Sequence, residues 1–291
     1  MIETHRLDSL RSRKFFQLSD FQEGFYERAR RPDQWRVLAD RFDEYERKKG
    51  DRAATQIPKR IHQIWLGGGL PERYRAWTDS WRRVNTGWEY RLWDEKSILQ
   101  FGLRNEAAFR KSASFGARSD IARYEILERE GGVYADTDFE CLRPLDELAV
   151  HCSFFAGTLF DDVPEISNGL LGSAPGHPLL RLLIAQLSEP IATKDTGVIL
   201  DSSGPRFLTR IFFANLAFAT AWDVIFPSTY FFPFPNFFRR EFVPFQTMRG
   251  YARDWSLAIH YWETAWARPH PVRIFLSRAK RRLLGQPIPR I

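Results

Sequence analysis

The stretch Gly131-Gly132-Val133-Tyr134-Ala135-Asp136-Thr137-Asp138 constrains this chain more than any other. Ahead of it, Arg118 to Glu130 has helical spacing, with Ile121, Tyr124 and Leu127 on one apolar face. The paired glycines supply a C-cap. Val133 to Cys141 then reads as a buried strand, and Pro144 with Asp146 turns the chain away. A helix passing straight into a buried strand is a building block of α/β layer folds. On a strand, residues i and i+2 face the same way, so Asp136 and Asp138 are expected side by side, within reach of one divalent cation. Mg²⁺ and Mn²⁺ take carboxylates together with phosphate oxygens. The bland reading is a strand-end pair that caps a turn or meets an arginine. An apolar strand ending in two carboxylates still calls for a cation or a cationic partner.

The rest of the pattern extends the α/β reading. Residues 1–56 are charged, with scattered aromatics such as Phe21, Phe25, Tyr26 and Trp35, and read as a peripheral helical extension. Arg60 to Leu66 is a short strand, Gly67-Gly68-Gly69 a loop, and Pro71 the first turn of a helix. Tyr74, Trp77, Trp81 and Val84 follow at helical spacing, and Trp88 to Trp93 is a second strand. This strand–glycine loop–helix–strand unit suits a nucleotide-binding sheet. It lacks the GxGxxG fingerprint, so a nicotinamide cofactor is not supported. Further on come a loop from Gly172 to Pro178, a helix near Leu179 to Leu187, a Pro-rich aromatic stretch from Ile225 to Phe238, and a strand from Leu257 to Trp262.

Other side chains join the aspartates as candidates. Asp120 and Arg123 lie three apart on one helix face, as a local ion pair or as a sugar- and phosphate-binding pair. Trp65 ends the first strand, where ligands bind in open α/β sheets; it is a stacking platform or a core residue beside a turn. Gly67 and Gly68 would let the backbone approach phosphate. His260 sits in an apolar strand and is either a satisfied core histidine or an added ligand to the carboxylate pair. His62 has no partner motif and reads as structural. Phe231-Phe232-Pro233-Phe234 forms either an exposed lip or buried packing.

Charge narrows the partners. The net charge is +7, and after Glu263 there are seven basic and no acidic residues, so the tail accounts for the whole excess. A balanced body argues against a nucleic-acid partner. The tail, 267–291, reads as a basic amphipathic helix suited to an anionic membrane surface or docked by its apolar face. Two cysteines, Cys141 and Cys152, fit a reducing compartment with no disulfide framework. The expected location is cytoplasmic, peripheral on the inner face of the membrane.

These blocks in this order resemble the DXD glycosyltransferases of family 32. The resemblance rests on Ile57-Pro58-Lys59-Arg60-Ile61-His62-Gln63-Ile64-Trp65-Leu66-Gly67-Gly68, on Ala117-Arg118-Ser119-Asp120-Ile121-Ala122-Arg123-Tyr124 with the Asp136–Asp138 block, and on Ile259-His260-Tyr261-Trp262 with Trp266. It spans about residues 57–266 and implies a GT-A fold, with a mixed central sheet and added helices at both ends. It further implies Mn²⁺ or Mg²⁺, a nucleotide-sugar donor, and transfer with retention to a saccharide or glycolipid acceptor. By carry-over Trp65 stacks on the base, Asp120 and Arg123 hold the donor sugar, Asp136 contacts ribose and sugar or metal, Asp138 and His260 bind the metal, and Trp266 closes over the diphosphate. Tyr261 and Ala265 depart from the pattern, standing where many relatives have a second histidine and a small polar residue. Rival readings are a protein acceptor, another metal-dependent nucleotide-diphosphate enzyme, and a non-catalytic basic membrane-binding protein.

Overall fold

A computed structural model of the chain describes residues 13–20, 25, 29–51, 53, 55–159, 162–235 and 243–263. In chain order, the helices and strands are α1 (Lys14–Ser19), α2 (Pro32–Lys48), β1 (Arg60–Ile64), α3 (Glu72–Val84), β2 (Glu89–Trp93), α4 (Glu95–Phe101), α5 (Glu106–Lys111), α6 (Phe115–Glu130), β3 (Gly132–Ala135), β4 (Phe139–Cys141), α7 (Asp146–His151), β5 (Phe154–Thr158), β6 (Ile166–Ser173), α8 (Pro178–Ala185), α9 (Thr196–Ser202), α10 (Pro205–Ala214), β7 (Asp223–Phe226), α11 (Phe245–Arg249) and β8 (Ala258–His260).

Six strands form one mixed sheet in the order β2-β1-β3-β6-β5-β7. β1 runs parallel to β2 and β3, whereas β6 is antiparallel to both β3 and β5. The carboxyl ends of β1 and β3 therefore lie together at one edge, where a ligand crevice is expected in such sheets. A second sheet, β4 with β8, stands beside that edge.

Helix α6 delivers the chain to this edge. Ser114 caps its start, its hydroxyl accepting from the Ala117 amide at 3.1 Å. It is buried almost all round, which is why its apolar face is weakly marked in the sequence. Gly131 and Gly132 end it at φ +64° and +100°. A Cβ on Gly132 would stand 2.7 Å from the Arg60 carbonyl, so only glycine lets β3 lie against β1.

Two expectations are corrected. The segment 133–141 is not one strand: β3 pairs with β1 and β6, β4 pairs with β8, and Asp136-Thr137-Asp138 is the turn between them. The two sheets pull the flanking strands apart, so a turn and not strand alternation sets the spacing of the carboxylates. The described part of residues 1–56 is not peripheral either. Phe15, Trp35, Leu38 and Phe42 are fully buried in the main core, and Phe42 meets Phe226 of β7 edge to face at 5.9 Å. Trp35, Leu38 and Phe42 are spaced to face inward along α2, a stripe too interrupted by charge to stand out in sequence. Phe231, Phe232 and Phe234 are buried, so that stretch is packing and not a lip. Cys141 and Cys152 are buried and unpaired. The tail beyond 263, with Trp266 and Ala265, lies outside the described residues. Among the described residues, no helix is long and apolar enough to cross a membrane.

Candidate active site

The crevice at the ends of β1 and β3 is a cavity of about 480 Å³. Trp65, Gly67, Asp120, Arg123, Asp136, Asp138 and His260 all line it; Gly68 is exposed and does not. Trp65 follows β1 directly; its ring packs 4.9 Å from Tyr74 of α3, and both residues line the cavity.

One end of the site is closed by protein. Arg123, 5% exposed, places Nη2 3.2 Å from both Asp120 Oδ1 and Asp136 Oδ1. Its Nη1 donates to the Asn168 carbonyl at 2.7 Å, and the guanidinium lies over the Tyr134 ring at 4.4 Å. Asp120 Oδ1 accepts from the Asn168 amide at 2.8 Å and Oδ2 from the Ser203 hydroxyl at 2.7 Å. Burial pushes the Asp120 carboxyl up to about 6, with Arg123 opposing the shift, so the group is mainly ionised at neutral pH. Asp136 Oδ1 accepts from the Tyr134 hydroxyl at 2.7 Å. Burial raises the Asp136 carboxyl as well, and Arg123 opposes it. Its side chain keeps 31% exposure, and Oδ2 makes no hydrogen bond among the described residues; a Cβ on Gly169 would come within 2.9 Å of it.

The other end is differently built. Asp138 sits at the start of β4, and β4–β8 pairing sets Phe139 opposite His260. His260 stacks on Phe139 at 4.3 Å, and its Nε2 lies 3.0 Å from Asp138 Oδ1. Asp138 Oδ2 accepts from the Glu263 amide at 2.6 Å. That contact depends on Trp262, which adopts a left-handed φ of +56° and folds the chain back. Asp138 has no lysine or arginine partner among the described residues, and buried His260 Nδ1 has no hydrogen-bond partner. Asp136, Asp138 and His260 each offer a ligand atom within 4.8 Å of the others. Two carboxylates and an imidazole, with an orphaned ring nitrogen and one more carboxylate than Arg123 can satisfy, fit a hard divalent cation.

His62 behaves as a structural residue. Trp93 Nε1 donates to its Nδ1 at 3.1 Å and Nε2 meets the Gly131 carbonyl at 3.0 Å. Burial pushes this imidazole down to about 4. Asn168 and Ser203 join the site as hydrogen-bond partners of Asp120, and sequence reasoning gave them no role. The signal was present as Ser167-Asn168-Gly169, three polar or small residues inside an otherwise apolar strand.

Known proteins match this region. The profile of the glycosyltransferase sugar-binding region containing the DXD motif covers residues 71–155, which hold Asp120, Arg123, Asp136 and Asp138. Inositol phosphoceramide mannosyltransferase 1 of Schizosaccharomyces pombe is 34% identical over 167 residues, covering 54% of this chain and 51% of that protein. Mannosyl phosphorylinositol ceramide synthase SUR1 of Saccharomyces cerevisiae is 30% identical over 167 residues, covering 53% of this chain and 41% of its own length. The chain thus spans about half the length of the curated relatives it matches. In structure it is similar to the catalytic domain of alpha-toxin from Clostridium novyi, with a TM-score of 0.53 at 10% identity over 97% of this chain and 90% of that one. That likeness is one of fold, the GT-A fold. Through residues 71–155 the chain is similar to the glycosyltransferases whose sugar-binding region contains a DXD motif, and it carries that block on a GT-A fold.

Proposed function

We propose that the chain is a metal-dependent, retaining glycosyltransferase that moves a hexose from a UDP- or GDP-linked donor to a saccharide or glycolipid acceptor. The observation that carries this reading is the Asp136–Asp138–His260 cluster, set in the same cavity as the Asp120–Arg123 pair. Asp138 and His260, with Asp136 beside them, would hold Mn²⁺ or Mg²⁺, which when bound neutralises charge on a departing nucleoside diphosphate. Relatives named as mannosyltransferases make mannose the first hexose to try.

The chain's own residues divide the remaining work. Trp65 offers a ring face for the base, and Gly67, exposed and lining the cavity, offers backbone beside it. Asp120, clamped by Asn168, Ser203 and Arg123, is oriented to accept from sugar hydroxyls with its remaining lone pairs. Asp136 lines the cavity and keeps Oδ2 without a hydrogen bond among the described residues, and that oxygen would meet ribose or sugar. Both Asp120 oxygens are engaged and Asp136 Oδ1 is held by Arg123 and Tyr134, while Asp136 Oδ2 is assigned to ribose or sugar, so neither carboxylate is given the part of covalent nucleophile. That favours attack by the acceptor hydroxyl on the face the nucleotide leaves, its proton passing to the leaving phosphate. The basic tail is proposed to hold the enzyme at an anionic, cytoplasmic membrane face.

Supplying nucleotide-[¹⁴C]mannose with Mn²⁺ and a lipid extract tests the reading. Label in an acceptor supports it. Label appearing only on water, or release of nucleoside monophosphate, would point to a hydrolase or nucleotidyltransferase.

A further inference from the structure

A polar side chain buried inside an apolar strand needs a partner, and β1 holds two such residues, His62 and Gln63. His62 is satisfied by Trp93 and the Gly131 carbonyl, away from the crevice. Gln63 is fully buried and does not line the crevice, yet its amide ends on the turn that does. Its Nε2 donates to the Asp136 carbonyl at 3.0 Å. Its Oε1 accepts from the Tyr90 hydroxyl of β2 at 2.7 Å. A backbone carbonyl can only accept, so the NH₂ group must face Asp136 and the oxygen must face Tyr90. Tyr90 thereby fixes the direction of the amide.

The main chains explain why a side chain is needed here. β1 and β3 pair in register only at Ile61–Val133 and His62–Tyr134. Past Tyr134, Gln63 carries the connection from β1 to Asp136, and among the described residues no other β1 side chain hydrogen-bonds to the 136–138 turn. Other elements hold the remaining groups of the turn. The Asp136 amide donates to the Gly169 carbonyl of β6 at 2.8 Å, and the Phe139 amide closes onto the Asp136 carbonyl at 3.2 Å. Trp81 Nε1 donates to the Phe139 carbonyl at 2.9 Å, and the Tyr261 amide to the Asp138 carbonyl at 2.9 Å. Two residues beyond Gln63 stands Trp65, whose amide continues the pairing with β2 by donating to the Trp93 carbonyl at 2.9 Å. One strand thus leads to the ring proposed for the base and carries the amide that holds the carboxylate turn. A nucleoside diphosphate has a bounded reach between base and phosphates. It gains from both contacts at once only if strand and turn keep a fixed spacing, which hydrogen bonds from behind the site supply.

We propose that Gln63 is a positioning residue: it ties the Asp136–Asp138 turn to the strand that leads to Trp65, so that base stacking and metal binding act on one nucleotide. This rests on the glycosyl-transfer reading above and adds to it a residue that lies outside the crevice and acts through the turn.

The test titrates Mn²⁺ and then UDP or GDP into the full-length wild type, Q63M and Y90F by calorimetry, with melting temperatures measured in parallel. Q63M keeps the length of the side chain and removes its donor. It should weaken Mn²⁺ binding, and the Mn²⁺-dependent gain in nucleotide affinity, by about tenfold, with the metal-free nucleotide affinity unchanged. Y90F leaves the donor in place but frees its direction, so its loss should be smaller and of the same kind. R60Q breaks the Glu89 ion pair and the Glu130 carbonyl contact on the same strand without touching the turn, and should keep the whole gain. A folded Q63M with the wild-type gain overturns the proposal. So does a Q63M that loses metal-free and metal-dependent affinity equally, because that is the mark of a merely structural role. If Q63M does not fold, Y90F decides: a wild-type gain in Y90F overturns the proposal, and a reduced gain at unchanged metal-free affinity supports it. A wild type without any Mn²⁺-dependent gain contradicts the metal-dependent reading itself, and is distinguished by appearing before any variant is compared.

Discussion

The two ends of the crevice hold carboxylates in opposite conditions. At the Arg123 end, Asp120 and Asp136 share one buried guanidinium and are tied further by Asn168, Ser203 and Tyr134. At the His260 end, Asp138 has an imidazole and one backbone amide, and His260 Nδ1 has no hydrogen-bond partner among the described residues. The first end is satisfied by protein; the second leaves Asp138 without a lysine or arginine partner among the described residues, the place where the proposed cation would sit. On the proposed function, similar residue types would serve two purposes in one cavity: the closed end would orient, and the open end would receive charge.

The largest consequence should fall on Asp138. D138N keeps an acceptor for the Glu263 amide but loses a charge, so turnover should drop about a thousandfold, ~4 kcal/mol of barrier, with the melting temperature nearly unchanged. R123A should do the reverse first. It leaves Asp120 and Asp136 without their cation, and chemical denaturation should show a loss of about 3–5 kcal/mol in stability. If D138N unfolds the protein as readily as R123A, the contrast between the two ends collapses.

Smaller effects sharpen the same contrast. H260A should weaken Mn²⁺ binding by at least 10–100-fold, measured by calorimetry, because it removes a ligand and Asp138's orienting partner. The closed end should reveal itself through pH. Asp120 titrates at about 6, so kcat/KM should fall on the acid side of that value as its ion pair with Arg123 is lost. Asn168 lowers this pKa by donating to the carboxylate. N168A should therefore move the acid limb upward, toward neutral pH, whereas H260A should leave that limb in place.

Local chemistry made much of the frame legible. Strand 60–64, the helix opening after Pro71, the strand ending at Trp93 and the glycine-capped helix each follow from spacing and capping within a few residues. What escaped was set by distant contacts. Asp136 and Asp138 stand in a turn because β3 and β4 answer to different sheets, and nothing within 133–141 records which partner each will find. Phe42 became core because β7 presents Phe226 to it from the far end of the chain, and Trp35 because Phe16 and Phe25 pack against it. Asn168 and Ser203 became part of the site through Asp120, which sits in a separate helix. Residue type flagged the charged candidates, whereas neutral partners became visible only once the fold had assembled them.

The division of the crevice meets its most direct test in a calorimetric titration of UDP and GDP into wild type and D138N, each with and without Mn²⁺. The cation-receiving role of Asp138 predicts that one nucleotide binds the wild type at least tenfold more tightly when Mn²⁺ is present, and that D138N abolishes this gain without changing the metal-free affinity. Equal affinity with and without Mn²⁺ in the wild type, or an undiminished gain in D138N, would contradict it.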